Sequence, residues 1–286
     1  MIEVLRAGPL TTVQDLGRPG LAHLGVPRSG ALDQPALRLA NILVGNRPDA
    51  AGLEATLTGC ALRLRAAAVI AVTGGYARVS VDGEPVGFGT PVPVAAGAEV
   101  HIGRTATGVR SYLAVSGGIE VPPVLGSRST DTLSGLGPAP LRDGDLLPVG
   151  EVTGTPSTMD AGEAGPAPGQ STVELRIGPG PRADWFPPPG LDGWSYRVSP
   201  QSNRVAARLT GAPLTRVPAM LHAELPSEGL VLGAVQVPAD GQPLVFLADH
   251  PTTGGYPVVC VVHPDDLPRL AQARPGSTVV FRGPER

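Results

Sequence analysis

The sequence contains no lysine: all 22 of its Lys and Arg positions are arginine. That absence removes several function classes. A Walker-type phosphate loop needs a lysine on the nucleotide phosphates, a Schiff-base enzyme needs an amine, and a biotin carrier needs a lysine to biotinylate. Aromatic residues are also scarce, at 3%, so a core is expected to be built from Val, Leu, Ala and Ile. Cys60 and Cys260 stand alone, with no C-x-x-C spacing, and are expected to be reduced and buried in a cytoplasmic protein. The net charge is −3 with no basic stripe, which argues against nucleic acid as a partner. No apolar stretch approaches the length of a membrane span, and the start, MIEVLRAGPLTTVQD, lacks the apolar segment of a secretion signal. There is no G-x-S-x-G elbow and no histidine pair at zinc-ligand spacing, so neither a serine hydrolase nor a metal site is expected.

What is abundant is glycine (39) and proline (33), spread between short apolar runs. Many short strands joined by Gly/Pro turns account for this pattern, and the fold class is expected to be mainly β, two barrel-like units with a few short helices. V69-I-A-V, PLVFLAD, PVVCVVH and STVVFRG read as strands, and ARVSV leads into an Asp82-Gly83 hairpin turn. One clear helix is predicted from the N-cap Asp33, with Pro35 in its first turn and a Gly stop. Leu37, Ala40, Asn41 and Val44 would share one face. A second, short helix is predicted at DDLPRLAQA. Residues 151–172 lack apolar periodicity and read as a linker or long exposed loop, dividing the 286 residues into domains at 1–150 and 173–286. Weak echoes between the halves, among them Thr73-Gly74-Gly75-Tyr76 and Thr253-Gly254-Gly255-Tyr256, are consistent with an internal duplication.

Six segments could carry chemistry. In TVQDLGRPG, Gln14 and Arg18 could present an amide and a guanidinium to a carboxylate or phosphate, or Asp15 and Arg18 could pair to fix the turn. In GVPRSGALD, Ser29 could face a ligand near a helix N-terminus, while Asp33 is more simply the helix cap. LGSRSTD places Ser127, Arg128, Ser129 and Thr130 together, for an anion or for local backbone bonds. SPQSNR concentrates Gln201, Ser202, Asn203 and Arg204, the donor-rich set that an amide or ureido substrate requires. SEGLVLGAVQVP sets Glu228 beside an apolar strand. It is a candidate general base with a raised pKa, or a partner for Arg204 or Arg208, and Gln236 is expected at a barrel mouth. In ADHPTTGGYP the adjacent Asp249 and His250 look like a dyad, but neighbours on a strand face opposite ways. The Thr253–Tyr256 part is better read as a backbone-donor loop.

Taken in chain order, TTVQDLGRPG, GVPRSGALD, SYLAVSGGIEVPPVLGSRSTDTLSGLG, SPQSNRVAARLTG, SEGLVLGAVQVPADGQP and DHPTTGGYP resemble the signature blocks of one family. This is the allophanate hydrolase subunit 2 family, also called the biotin-dependent carboxyltransferase or KipA family. The resemblance implies two cyclophilin-like β-barrel domains. It implies a sister protein of the KipI, or allophanate hydrolase subunit 1, type. Free-standing bacterial members are similar to the C component of the ATP-dependent 5-oxoprolinase, which works with A-type and B-type components. In urea carboxylase relatives, the same domains move a carboxyl group from carboxybiotin, which here would arrive on another chain. KipA-like members also act as binding antagonists of their KipI-type partner. The expected site has Asn203, Arg204 and the Gly254 and Gly255 amides stabilising negative charge, with Glu228 as base and Arg18 or Arg128 holding a carboxylate. Gln14, Arg18, Ser29, Arg128, Ser202, Gln236, Thr253 and Tyr256 would bind substrate. Two positions depart from the family pattern: Ala206 stands for a glycine and Pro251 for a glutamine.

Overall fold

The computed structural model describes residues 1–161 and 172–284, so residues 162–171 of the expected linker lie outside the described residues. The chain divides into two compact units. One holds residues 1–18 and 29–161; the other holds 19–28 together with the described residues from 172 onward. The segment 19–28 lies early in the chain, yet it groups with the second unit.

The first unit is built from two antiparallel sheets. One has the strand order Leu146–Leu147, Ile2–Arg6, Ala61–Leu64, Glu99–Thr105, Ala77–Val81, Glu84–Val86. The other runs Thr11–Gln14, Gly52–Thr56, Arg110–Val115, Ala68–Gly74, Val92–Val94. Side chains alternate across a strand, so each sheet has two distinct faces. Val13, Leu53, Leu113 and Val72 lie on one face of the five-stranded sheet and join Val4, Leu62, Val100 and Ile102 of the other sheet in a single apolar core. Aliphatic residues fill that core, with Phe88 as its one buried aromatic residue among those described. Cys60 is buried there as a free thiol.

The opposite face of the five-stranded sheet carries polar residues in register: Thr12 pairs with Glu54, Glu54 with Tyr112, and Tyr112 with Thr73. Helix α1, Gln34–Leu43, covers this face. Its cap is the Asp33 carboxylate, which accepts from Ala36 N at 3.1 Å. Leu37, Ala40, Asn41 and Val44 are all fully buried, as the sequence pattern predicts. The helix stops at Gly45, whose φ of 78° suits glycine; a β-carbon there would also sit 2.6 Å from the Thr155 carbonyl carbon. Residues 151–161 have no regular structure, yet they are not a free linker: Ser157 N donates to Leu43 O at 2.9 Å and Ala161 N to Gly89 O at 3.0 Å. The Asp82-Gly83 turn joins its two strands with both residues at positive φ, as a tight hairpin requires.

The second unit is a closed barrel of seven strands in the order Thr172–Pro179, Val258–Val262, Ala234–Gln236, Leu244–Phe246, Ala206–Thr210, Ser195–Val198, Thr278–Arg282. Its pairs are antiparallel except at the seam, where Thr172–Pro179 and Thr278–Arg282 run parallel. Leu175, Val235, Val245, Val279 and Phe281 are fully buried. Here the expectation of an aliphatic core fails, because Tyr196, Phe281, Trp185 and Phe186 are buried in this unit, with Tyr196 edge-on to Phe281 at 6.1 Å. The short helix predicted at DDLPRLAQA is a single turn over Pro264–Asp266 followed by α2, Leu267–Ala271. Asp266 ties it to the barrel through Arg176, by two guanidinium bonds and the backbone N–H, each at 2.9 Å. The echoed Thr-Gly-Gly-Tyr segments both begin at a strand end. Ala68–Gly74 pairs with Arg110–Val115, and Thr253–Gly254 pairs with Glu228–Gly229.

Removing the Phe281 ring should lower the unfolding free energy by about 3–5 kcal/mol. A chemical denaturation curve of Phe281→Ala against the parent checks this.

Candidate functional site

In the second unit the sequence-predicted residues converge on the loop from Asp249 to Pro257, which is fastened at both ends. At its start, Asp249 is fully buried and bound by Arg204, Nε to Oδ2 at 2.9 Å and Nη2 to Oδ1 at 3.0 Å. A fork-to-fork pair of this kind fixes direction as well as position. Backbone bonding continues the attachment, Asp249 N donating to Arg204 O at 3.1 Å. At the far end, Gln236 Nε2 donates to Tyr256 O at 2.8 Å, and Val237 N to Pro257 O at 3.1 Å. Between the ends, Gly254 pairs with Glu228. A β-carbon at Gly254 would lie 2.9 Å from Gln236 Nε2 and 2.8 Å from Leu230 Cδ1, so those side-chain ends would have to shift to admit one. Thr253, Gly255 and Tyr256 face solvent. The loop is therefore a rigid, glycine-lined rim with an exposed tyrosine.

His250 Nδ1 lies 2.7 Å from Pro251 O, so the ring donates from that nitrogen, while the Asp249 carboxylate takes the Arg204 fork. Arg204, expected as an oxyanion donor, is 1% exposed with its guanidinium on Asp249. Asn203 is exposed, and its Oδ1 accepts from Val205 N at 2.9 Å and Ala206 N at 3.1 Å, shaping the turn before the strand. Ser202 Oγ similarly accepts from Arg208 N at 3.1 Å.

Glu228 differs most from expectation. Its partner is neither Arg204 nor Arg208 but Arg182, whose Nε and Nη2 both donate to the carboxylate. The hydrogen bonds from Arg182 hold the Glu228 carboxyl below the usual range, against a smaller desolvation effect. A general base poised near neutrality would need the opposite shift. Glu228 is thus an anionic partner that holds a partly exposed guanidinium beside the rim.

In the first unit, the strand Thr11–Gln14 and the loop 124–131 form a polar cluster around Asp15. Its Oδ1 accepts from Gly17 N at 2.8 Å and from the hydroxyls of Ser127 and Ser129, each at 2.6 Å; its Oδ2 accepts from Arg128 N at 2.6 Å. Arg18 is buried and donates from Nη2 to Ser129 O at 2.6 Å and from Nε to Val124 O at 3.3 Å. Gln14 Nε2 reaches Thr130 O at 3.0 Å, and the Ser29 hydroxyl donates to the same carbonyl at 2.9 Å. The Arg128 side chain donates to Val121 O and Glu120 Oε2, both at 2.8 Å. Gln14, Arg18 and Ser29 thus knit two loops together beneath the surface. Three oxygens in this cluster, Gln14 Oε1, Thr130 Oγ1 and Asp131 Oδ2, are buried with no hydrogen-bond partner among the described residues, an arrangement usually met by ordered water or a ligand donor.

Sequence reasoning missed Arg182, which lies in a turn with no motif around it, and the network of Glu54, Arg110 and Tyr112 on the polar sheet face. The second had a readable signal. A glutamate within GLEAT and an arginine and tyrosine within RSYLAV mark one face of each strand as polar.

Two outcomes test this geometry. Arg204→Met leaves Asp249 buried without its guanidinium and should cost about 3–5 kcal/mol of stability in a denaturation curve. Arg182→Gln should raise the Glu228 pKa toward the ordinary carboxylate value, seen by carbon-13 NMR titration. Because the folded-state pKa of Glu228 is depressed, its stabilising contribution is present above the unfolded pKa of about 4.3 and fades as pH falls through the folded value.

Residues 24–283 match the family model described as carboxyltransferase domain, subdomain A and B. The chain is 41% identical over 293 aligned positions to the C component of the 5-oxoprolinase of Escherichia coli, spanning 98% of this chain and 90% of that protein. It is 33% identical to the urea amidolyase of Saccharomyces cerevisiae, again over 98% of the chain but only 16% of the much longer relative. Among solved structures, the K. lactis urea amidolyase superposes with a TM-score of 0.88 at 30% identity, this chain spanning 18% of its length. The family model covers most of both units, and the chain belongs to the carboxyltransferase subdomain A and B family.

Proposed function

We propose that the chain is the C-type component of an ATP-dependent 5-oxoprolinase complex, which converts 5-oxo-L-proline, ATP and water to L-glutamate, ADP and phosphate. The observation that carries this reading is the near end-to-end match to a 5-oxoprolinase C component, 98% of this chain against 90% of that one. The partners are a B-type sister protein of the KipI kind and an A-type protein. With no lysine, the chain cannot form a Walker-type phosphate loop, so ATP acts at the level of the complex.

The substrate has a carboxylate and a lactam. In this reading the rim at Thr253–Tyr256 meets the lactam, where backbone N–H groups stabilise charge developing on its oxygen. Arg182, held by Glu228, is the accessible guanidinium for the carboxylate. Arg204 and Gln236 set the position of that rim, Asn203 and Ser202 shape the turn that carries Arg204, and Gln14, Arg18, Ser29 and Arg128 fix the loops around Asp15. Rigid placement of this kind supplies much of a catalyst's advantage, because misplacement by an ångström is costly.

A second reading, carboxyl transfer from carboxybiotin, is favoured by the description of the matching family model and by the urea amidolyase relatives. Carboxybiotin would then arrive on another polypeptide. Reconstitution of the chain with its sister proteins and ATP separates the two. Release of glutamate from 5-oxo-L-proline, lost when this chain is omitted and reduced at least about tenfold in kcat/KM by Arg182→Ala, is expected. Carboxyl transfer without glutamate release would overturn the first reading in favour of the second.

A further inference from the structure

The polar face of the five-stranded sheet holds a buried carboxylate. Glu54 projects from the middle of the strand Gly52–Thr56 and is 1% exposed. Its Oε2 accepts from the Tyr112 hydroxyl at 2.8 Å and from Leu32 N at 3.0 Å. Its Oε1 lies 3.5 Å from Nε of Arg110, itself nearly buried. The Tyr112 hydroxyl in turn accepts from Asp33 N at 2.8 Å. Burial, the Glu54 charge and the Asp33 charge all push the Tyr112 phenol well above its ordinary pKa, so it remains a donor to Glu54. One carboxylate therefore fixes two consecutive backbone amides, Leu32 directly and Asp33 through the phenol.

Those amides lie between two attachments. On one side Ala31 N donates to Asp15 O at 2.9 Å, Ser29 Oγ to Thr130 O at 2.9 Å, and Gly30 packs so closely on the 16–17 backbone that a β-carbon would lie 2.8 Å from Gly17 N. On the other, Asp33 caps α1 and Thr73 Oγ1 donates to Ala36 O at 2.7 Å. Ser29 holds a positive φ of 54°, a conformation a serine keeps only when its surroundings impose it.

We infer that Glu54 is a positioning residue that, with Tyr112, clamps the segment Ser29–Ala36 onto the sheet and thereby sets the loops carrying Gln14, Asp15 and Thr130. Its effect on substrate rests on the 5-oxoprolinase reading; its effect on the order of the segment does not.

The test compares Glu54→Gln, Tyr112→Phe and Leu53→Val in the full chain. Leu53 neighbours Glu54 but points into the apolar core on the other face. Hydrogen–deuterium exchange should be about tenfold faster at the Leu32 and Asp33 amides in Glu54→Gln, where a charge-assisted bond becomes a neutral one, and at Asp33 in Tyr112→Phe, where the phenol acceptor is lost. Leu53→Val should raise exchange across the core strands without singling out these amides. In the reconstituted complex, Glu54→Gln should raise KM for 5-oxo-L-proline several-fold with little change in kcat, and Leu53→Val should leave KM unchanged. Localised exchange without any glutamate release from the parent complex would support the clamp and overturn the 5-oxoprolinase reading. Unchanged Leu32 and Asp33 exchange in both polar variants, or an equal response in Leu53→Val, would overturn the clamp.

Discussion

A charge removed from water must be met by a partner, and in this chain that requirement decides how the loops attach to the sheets. Only 16% of the residues are charged, yet several of them are buried. Asp15 collects two hydroxyls and two amides, Glu54 a phenol and an amide, Asp249 a guanidinium fork, and Asp266 another. Each pairing joins segments distant in sequence. Apolar packing builds the sheets, and these buried carboxylates hold the irregular segments in fixed positions against them. Such pairs add little net stability over a well-packed apolar substitute, but they specify which loop goes where, which is what a site made of loops needs.

The same requirement explains what can and cannot be read from the residues. The mainly β architecture, helix α1 with its Asp33 cap and the Asp82-Gly83 turn are legible because they depend on local spacing and backbone preference. The family resemblance, carried by six short blocks, agrees with the matches found across the whole chain. Partnership is not legible. Proximity in sequence points Glu228 toward Arg204 or Arg208, whereas Arg182 reaches it from the turn after the first barrel strand. Arg204 has the look of a substrate ligand because it sits in a donor-rich block, and only the fold reveals Asp249 opposite it. Aromatic scarcity also misleads, since a global 3% conceals their concentration in the barrel unit.

The Asp249–Pro257 loop shows how a site can depend on residues that never meet the ligand. Its exposed members are a threonine, a glycine and a tyrosine, which have little chemistry of their own. Their value lies in being held, by Arg204 at one end and Gln236 at the other, so that main-chain groups keep one orientation. At Gly254 a side chain would have to displace the Gln236 amide that fastens the loop. Restraint and backbone exposure come from the same contact.

The parallel seam of the barrel has a consequence for how the molecule is made. Thr172–Pro179 and Thr278–Arg282 are the first and last barrel strands in the chain, and their pairing is what closes the ring. Contacts so far apart in sequence carry a large loop-closure entropy and form late. A ribosome releasing the chain from its first residue would deliver six of the seven strands before the last, leaving an open sheet with two unpaired edges. Until residues 278–282 emerge, those edges can pair with another chain, so the interval before closure is when the protein is most exposed to misassembly.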